Sequence, residues 1–484
     1  MASSSVSSCS TGRSWVPGAP ASQARTGFFD ALPHALLWRI WALLPVDERA
    51  RCAVVHPSWR TALHEHSVWA RLDLSCTSGI ARRRVTGELL RGAAARARGH
   101  LEHLNLEDCY LVEFEDIRLV AQANAKALRT LHLPRKYEEW RDFHADAAHE
   151  YVNHNGHKPD ELVKLLQAAP GLQALTADLI MLSNDWDVDL GRQMLQNVGE
   201  FAPLRLGYVV ANVDGDDEDA GSILQLMALV PGHATLTGLG IWGVPFEHAP
   251  AAFDAVVDVA QQANSHLREL QFYACDFGGS GSMLAPLLSA ASSLSSLSIE
   301  YDSATQLFDA AAAALAADAL RLNTNLSLLT IYNADLFWDP AAGGALFSAL
   351  VAHCSLRTLV WREETGCTHP GIAGVALHAI LAANAPALRN LVVDVCLDDL
   401  AGRAPLFDAL RRNTHLRRLD CCTWQMTPSF ARFVLLPAVR ANTSLRQLFL
   451  PISTRNFDLQ DDLDKLLEQA AALVRRRTRL RGAK

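Results

Sequence analysis

A short motif, Leu-x-x-Leu-x-apolar, recurs along most of this 484-residue chain and constrains its fold more than any other sequence feature. Copies begin at Leu101, Leu128, Leu172, Leu236, Leu267, Leu294, Leu326, Leu356, Leu388, Leu416 and Leu445, with a degenerate copy near Leu204. Successive copies start between 27 and 44 residues apart. A recurring interval of this size is typical of stacked supersecondary units. We therefore expect a repeat array over residues 101–455, with about 12 units.

The residues within one interval predict a strand followed by a helix. Residues 267–272 alternate apolar and polar side chains, which favours a short strand. Between Pro405 and Asn413, Leu406, Phe407 and Leu410 fall on one face of a helix. Each unit can bury its leucines only against its neighbours, so the expected fold is an α/β solenoid with a strand-lined concave wall.

Cysteine also recurs in phase with the motif. Cys109, Cys275 and Cys396 each lie eight residues after a leading leucine. This part of the chain resembles leucine-rich repeats of the ribonuclease-inhibitor type, which place a buried Asn or Cys at that position. The resemblance implies a horseshoe with parallel concave strands and outer helices. The longest interval, from Leu128 to Leu172, predicts an insertion near residues 136–158.

Asparagine recurs three residues before a leading leucine. The four cases are Asn264, Asn323, Asn413 and Asn442. Asparagine tolerates the left-handed backbone conformation that often ends a helix. We therefore predict that these residues end the repeat helices in that conformation.

The segments flanking the repeats differ from them in composition. Residues 1–27 are rich in Ser, Gly and Pro, which predicts a disordered arm. Residues 28–75 are dense in large apolar side chains, and residues 76–100 are expected to form a basic helical linker. Residues 456–484 predict an amphipathic helix that caps the last repeat, followed by a basic tail.

Residues 32–69 predict three short helices with more apolar surface than they can bury. Pro33 suits the first turn of a helix, and Leu36, Ile40 and Leu44 then follow at helical spacing. So few residues cannot enclose so many large side chains among themselves. Apolar surface left over in this way usually contacts a protein partner.

This N-terminal segment, residues 28–75, resembles an F-box. The matching positions are Leu32-Pro33, residues 35–41, Val54-Val55, Trp59-Arg60 and Val68-Trp69, while Trp41 replaces the usual Phe and His56 stands where Cys is common. The resemblance implies binding to a Skp-family adaptor and, through it, to a cullin–RING ubiquitin ligase. The implied adaptor-binding residues are Leu32, Pro33, Leu36, Ile40, Leu44 and Trp59. On this interpretation, the chain is the substrate-recognition subunit of an SCF-type ligase and has no catalytic residues itself.

The sixth position after each leading leucine predicts a column of side chains on the concave wall. In six consecutive repeats it holds Trp242, Tyr273, Glu300, Tyr332, Arg362 and Asp394. Aromatic and arginine side chains dominate the energetics of protein interfaces, so we expect a target protein to bind here. The alternative is that the rings only pack against adjacent repeats.

Composition excludes several other functions. With 44 basic and 52 acidic residues the net charge is −8, which disfavours a general nucleic-acid coat. No apolar stretch approaches ~20 residues, so no membrane-spanning helix is expected. The 10 cysteines include no CxxC pair, which favours reduced thiols and a cytoplasmic or nuclear location.

No motif predicts a metal, a cofactor or an enzyme. The histidines of residues 144–157 lack zinc spacing, and the acidic run 214–219 lacks the glycine and glutamate of a calcium loop. A hydrolase would need a nucleophile beside a base, and no sequence signature identifies one. The main alternative is a leucine-rich repeat scaffold or inhibitor that has no role in ubiquitination.

Overall fold

A computed structural model gives the architecture of the protein. It describes residues 65–75, 85–134, 156–181, 185–196, 201–212, 220–335, 340–362, 370–394, 400–421, 428–450 and 457–482, except positions 108, 110, 202, 264, 279, 280 and 290. From the first 64 residues it describes Leu36, Ile40, Trp41, Leu44, Arg49 and Trp59. The predicted arm 1–27 and nearly all of the predicted insertion 136–158 lie outside the described residues.

The strands form one parallel sheet of 13 strands in chain order. They are β1 Arg71–Asp73, β2 His103–Asn105, β3 Thr130–His132, β4 Ala174–Met181, β5 Leu204–Asn212, β6 Gly238–Trp242, β7 Glu269–Tyr273, β8 Ser296–Gln306, β9 Leu328–Asp335, β10 Thr358–Arg362, β11 Asn390–Asp394, β12 Arg418–Asp420 and β13 Gln447–Phe449. A parallel sheet without any exchange of strand order requires each unit to stack on the one before it. The predicted α/β solenoid of the leucine-rich repeat type is confirmed.

Helices connect the strands along the array. They are α1 Gly87–Arg96, α2 Phe114–Ala123, α3 Pro159–Ala168, α4 Asp185–Leu195, α5 Ala220–Leu229, α6 Pro250–Gln261, α7 Ala285–Leu288, α8 Ala310–Leu322, α9 Pro340–Ala352, α10 Pro370–Ala383, α11 Leu400–Arg412, α12 Pro428–Phe430, α13 Leu436–Ala441 and α14 Phe457–Gly482. A π-helical turn, Ala431–Leu435, joins α12 to α13. Several helices begin with proline, whose missing N–H costs nothing at that position.

A continuous core lies between the sheet and the helices. The leucines of each repeat motif are buried in it, and phenylalanines fill its centre near β6 and β7. The Phe246 ring packs 5.2 Å from Phe253 and 5.7 Å from Phe272, measured between ring centroids. Because each motif packs against the next, the core is a row of similar layers along the solenoid.

The repeated asparagines do not adopt the predicted left-handed conformation. Asn323 and Asn442 are extended, with φ of −76° and −65°, and Asn264 lies outside the described residues. Their side chains act instead: the Asn442 Oδ1 accepts from the N–H of Leu445 at 2.8 Å, and its Nδ2 donates to the carbonyl of Leu410 at 2.7 Å. The asparagine therefore joins one repeat to the preceding one by satisfying buried backbone groups.

The cysteine position is buried where the structure describes it. The Cys109 thiol donates to the carbonyl of Leu74 at 3.1 Å, and the Cys275 thiol donates to that of Ile241 at 3.4 Å. Burial raises the pKa of Cys275 to about 12, so it remains a neutral thiol. Cys396 lies outside the described residues.

The sheet begins before Leu101, the first residue of the predicted repeat array. Strand β1 pairs with β2, with Leu72 opposite Leu104, and Trp69 is buried where other repeats place their leading leucine. Helix α1 buries Leu90 and Ala94 in the common core. Part of the predicted linker 76–100 is therefore the helix of a first repeat, and the end of the segment 28–75 supplies that repeat's strand.

Candidate protein-binding surfaces

The six predicted concave residues occupy one register across six adjacent strands. Trp242 is opposite Tyr273, Tyr273 is opposite Glu300, and Glu300 is opposite Tyr332. Arg362 follows Tyr332, and the backbone of Asp394 on β11 follows Arg362. We refer to these six residues as the concave column. Neighbouring strands lie about 4.8 Å apart, so the column extends over about 24 Å.

Most described side chains of the column are partly exposed. Trp242, Tyr273, Tyr332 and Arg362 are half-buried, and the side chain of Asp394 lies outside the described ones. The rings of Trp242 and Tyr273 are in contact, with centroids 4.2 Å apart and planes at 52°. Trp242 and Tyr273 therefore pack against each other across adjacent repeats while both remain partly exposed.

Glu300 differs from the predicted exposure, because it is only 5% exposed. The Gln271 Nε2 donates to its Oε1 at 2.9 Å, and the Ser298 hydroxyl donates to the same oxygen at 2.5 Å. Gln271 and Ser298 face each other on β7 and β8, and together they enclose the carboxyl.

Burial raises the pKa of Glu300 from 4.5 to about 7. The two hydrogen bonds and the positive charge of Arg362 act in the opposite direction and only reduce this shift. The middle of the concave column therefore contains a carboxyl that is neutral in part near neutral pH.

Tyr208 covers strand β6 and was not identified from the sequence. A Cβ at Gly238 would lie 2.0 Å from the Tyr208 Cδ2, and one at Gly240 would lie 2.8 Å from its hydroxyl. The two glycines thus leave room for the ring, which is 4% exposed, and its hydroxyl donates to the Gln271 Oε1 at 3.3 Å. The signal in the sequence is Gly-x-Gly within a strand, where close approach of another group is typical.

The N-terminal segment presents an apolar pair beside a buried tryptophan. Leu36 and Ile40 are in helical conformation and are 47% and 40% exposed. Residues four apart lie on one helix face. Trp41 is 3% exposed and belongs to the core of the solenoid. Trp41 therefore faces the repeats, while the side chains of Leu36 and Ile40 remain exposed.

The other predicted adaptor-binding residues are placed differently. Leu44 and Trp59 are partly buried against the core, and the Trp59 ring packs edge-on to Trp41 with centroids 6.1 Å apart. The F-box resemblance implies that these side chains point outward. In the structure they pack against the apolar core instead. Leu32 and Pro33 lie outside the described residues.

Arg49 connects the N-terminal segment to the first strand. Its Nη1 donates to the carbonyls of Val68 at 2.8 Å and Arg71 at 3.1 Å, and its Nε donates to that of Leu44 at 2.9 Å. Arg49 is 3% exposed, and burial lowers its pKa while the charge of Asp73 opposes the shift. A buried cation with several carbonyl acceptors fixes one segment against the other, since breaking the contact leaves the charge unsatisfied.

The described residues hold neither a cluster of metal ligands nor a membrane-spanning helix. In the described ranges no three His, Cys, Asp or Glu side chains are grouped as metal ligands, and the histidines 144, 149 and 154 lie outside those ranges. No helix within the described part of the chain has the length and apolar character needed to cross a bilayer.

Comparisons with known proteins give only distant structural matches. No family model and no curated protein matches the sequence. The chain is similar to a crystal structure of a TLR13–ssRNA13 complex, with 14% identity and a TM-score of 0.30, over 76% of this chain and 40% of that chain. It is also similar to leiomodin-1 actin-binding site 2, with 14% identity and a TM-score of 0.21, over 42% of this chain and 96% of that chain. The fold assignment follows from the order and register of the strands.

Proposed function

We propose that this chain is the substrate-recognition subunit of an SCF-type ubiquitin ligase. In this proposal the N-terminal segment binds a Skp-family adaptor, and the repeats bind a target protein. The chain supplies no nucleophile. It acts by holding a target lysine near the conjugating enzyme, which raises the effective concentration of that lysine.

The exposed pair Leu36 and Ile40 is the observation that carries the proposal. A helix that only caps a solenoid needs a polar outer face. These two side chains instead expose apolar surface next to Trp41, which is already buried against the repeats. Covering such a surface with a partner protein is favourable, because it removes apolar side chains from water.

The first prediction concerns capture of the adaptor. Full-length wild type is expected to co-purify with a Skp-family adaptor, and the double variant Leu36→Asp/Ile40→Asp is expected to lose it. Two charges placed in an apolar interface cannot be desolvated without a large cost. Co-purification of the two purified proteins, followed by size-exclusion chromatography, measures the result.

Helix α8 offers a matched control for this experiment. Leu315 and Leu322 are 56% and 70% exposed, so Leu315→Asp/Leu322→Asp makes the same chemical change on a different surface. The control is expected to bind the adaptor as wild type does. Equal binding by all three proteins would contradict the assignment of the N-terminal segment as an adaptor-binding element.

The second prediction concerns capture of the target by the concave column. Tyr273→Ala/Tyr332→Ala removes two half-buried rings on either side of Glu300, in register with it. Each anchor of this kind contributes about 2 kcal/mol or more, so recovery of the partner is expected to fall at least tenfold. Proximity labelling during proteasome inhibition identifies the partner, and pull-down with the variant measures the loss.

Adaptor binding is the control for the column variant. It is expected to remain unchanged, because the column begins at β6, five strands from β1. If partner recovery is unaffected while the variant is folded, the column is not the target-binding site.

The second candidate function is a repeat scaffold or inhibitor outside ubiquitination. The concave column supports it as well, because that surface does not depend on the adaptor. Loss of a partner in the column variant, together with no adaptor captured by wild type, would favour this candidate. The two proposals are therefore separated by the adaptor experiment alone.

A hydrolase would require a free nucleophile beside a base. Ser355 Oγ lies 3.4 Å from His353 Nδ1, but the hydroxyl also donates to the carbonyl of Leu326 at 3.0 Å. The same Nδ1 accepts from the backbone N–H of Leu356 at 3.1 Å. This pair joins two repeats through backbone groups, and we therefore favour a binding function over catalysis.

A further inference from the structure

Four arginines form a row at the edge of the sheet where the last four strands begin. Arg357, Arg389, Arg417 and Arg446 are each the second residue of consecutive repeat motifs. The N–H of Arg389 donates to the carbonyl of Arg357 at 2.8 Å, that of Arg417 to Arg389 at 2.7 Å, and that of Arg446 to Arg417 at 2.6 Å. The four residues are therefore adjacent rungs of one ladder, and the row spans about 14 Å.

A polar groove runs along this arginine row. Its volume is about 380 Å³, and Arg357, Arg389 and Arg417 line it together with Ser327, Thr358 and Asn390. Hydroxyl and amide groups beside guanidinium groups provide donors for an anionic ligand. The groove is thus suited to a negatively charged chain in extended conformation.

The guanidinium groups in this groove have no acidic partners among the described residues. No carboxylate of the described ranges forms a salt bridge with Arg357, Arg389 or Arg417. Several arginines on the outer helices are paired instead: Arg412, for example, lies 2.7 Å from a carboxylate oxygen of Asp408. Arg357, Arg389 and Arg417 therefore carry positive charge without acidic partners in the described ranges, on a chain whose net charge is −8.

An acidic residue marks one end of the groove. Glu269 lines it from β7, three strands before β10, where the row begins. An anionic ligand is therefore attracted at the arginine end and repelled at the Glu269 end. This asymmetry favours the part of the groove that Arg357, Arg389 and Arg417 line.

We propose that the arginine row binds an acidic segment of a partner protein, a run of Asp or Glu side chains in extended conformation. An extended chain rises about 3.3 Å per residue, so about five residues span the row. The net charge of −8 disfavours a nucleic acid, the other extended anion, and that alternative is an outcome of the test below. The inference rests on the proposed function, since this partner is the target, and it specifies the chemistry of that target.

Peptide binding to the full-length protein tests the inference. The probe is a fluorescein-labelled peptide with a central run of about five glutamates, and its matched control has glutamine at those positions. We expect the glutamate peptide to bind at least tenfold more tightly in fluorescence anisotropy. Its affinity is expected to fall as the NaCl concentration rises from about 50 mM to about 300 mM, because salt screens exposed charges.

A pair of charge-matched variants locates the binding site. Arg357→Gln/Arg389→Gln/Arg417→Gln removes three charges from the row and is expected to weaken peptide binding at least tenfold. Arg411→Gln/Arg432→Gln/Arg475→Gln removes three charges from exposed helical positions of the same end of the chain and is expected to leave binding within about twofold of wild type.

Several outcomes would overturn the inference. They are no binding of the glutamate peptide, equal binding of the glutamine peptide, equal weakening by both triple variants, or tighter binding of a single-stranded oligonucleotide. Adaptor capture by the row variant separates this test from the proposed function. If adaptor capture persists while the peptide does not distinguish the variants, only the acidic-segment inference is wrong.

Discussion

Glu300 places an ionisable group where little water reaches it. Its pKa is near 7 in the folded chain and near 4.5 in an exposed one. Between these values the unfolded chain binds fewer protons than the folded chain does, so the free energy of unfolding falls as the pH rises. This loss of stability, which comes from burying the Glu300 carboxylate, is absent below pH ~4.5. It grows up to pH ~7 and is constant above that.

The pH dependence of stability is therefore expected to change in Glu300→Gln. The glutamine Oε1 can still accept from Gln271 and Ser298, but it carries no charge. Relative to wild type, we expect the free energy of unfolding of the variant to be higher by on the order of 2 kcal/mol at pH 8 and to be little changed at pH 5. Urea unfolding at a series of pH values measures this difference.

Glu247→Gln provides the control, because Glu247 is exposed and lies two repeats before Glu300. Its stability is expected to follow the wild-type dependence on pH. Parallel profiles for wild type and Glu300→Gln between pH 5 and 8 would mean that Glu300 is not titrating in the folded chain.

At the scale of single elements, helix α14 closes the last repeat. Leu463, Leu467, Ala470 and Val474 recur at helical spacing and are at most 6% exposed. They belong to the same core as Leu448 of β13. Because a repeat contacts only its neighbours, stability lost at this end should remain local.

Leu467→Ala is therefore expected to destabilise only the C-terminal repeats. The loss of buried apolar volume costs about 2–3 kcal/mol. In hydrogen exchange, amides of β12 and β13 should exchange faster, while those of β5 to β7 keep wild-type rates. Leu322→Ala, at a position 70% exposed, should change neither region. Uniformly faster exchange would indicate that the array unfolds as one cooperative unit.

The sequence predicted the strands and helices well wherever the Leu-x-x-Leu motif recurred at regular spacing. Strand β1 was missed because Trp69 occupies the position of a leading leucine. At the degenerate motif near Leu204, the pairing of β4 with β5 shifts register between Ala177 and Asp178. The asparagines were located correctly but assigned the wrong conformation, since their role is to bond backbone groups of two repeats.

At the scale of the whole molecule, periodicity predicted which residues share a surface, but side-chain contacts decided their exposure. The concave column is in register as its spacing indicates, yet Glu300 is enclosed by neighbours that differ from repeat to repeat. The arginine row follows from Leu-Arg at four successive motifs and was readable in the sequence. The contacts of Arg49 and Tyr208 could not be predicted, because they join residues that do not occupy equivalent positions of the repeat motif.

The bonds of Arg49 to the carbonyls of Val68 and Arg71 have a geometric consequence for the proposed ligase. They hold Arg49 against the first strand, so in the proposed complex the distance from adaptor to target depends on the number of strands between them. The column begins five strands from β1, and every repeat added between them would carry the target about 4.8 Å further along. In the proposed ligase, the number of repeats would thus determine which target lysines come within range of the conjugating enzyme.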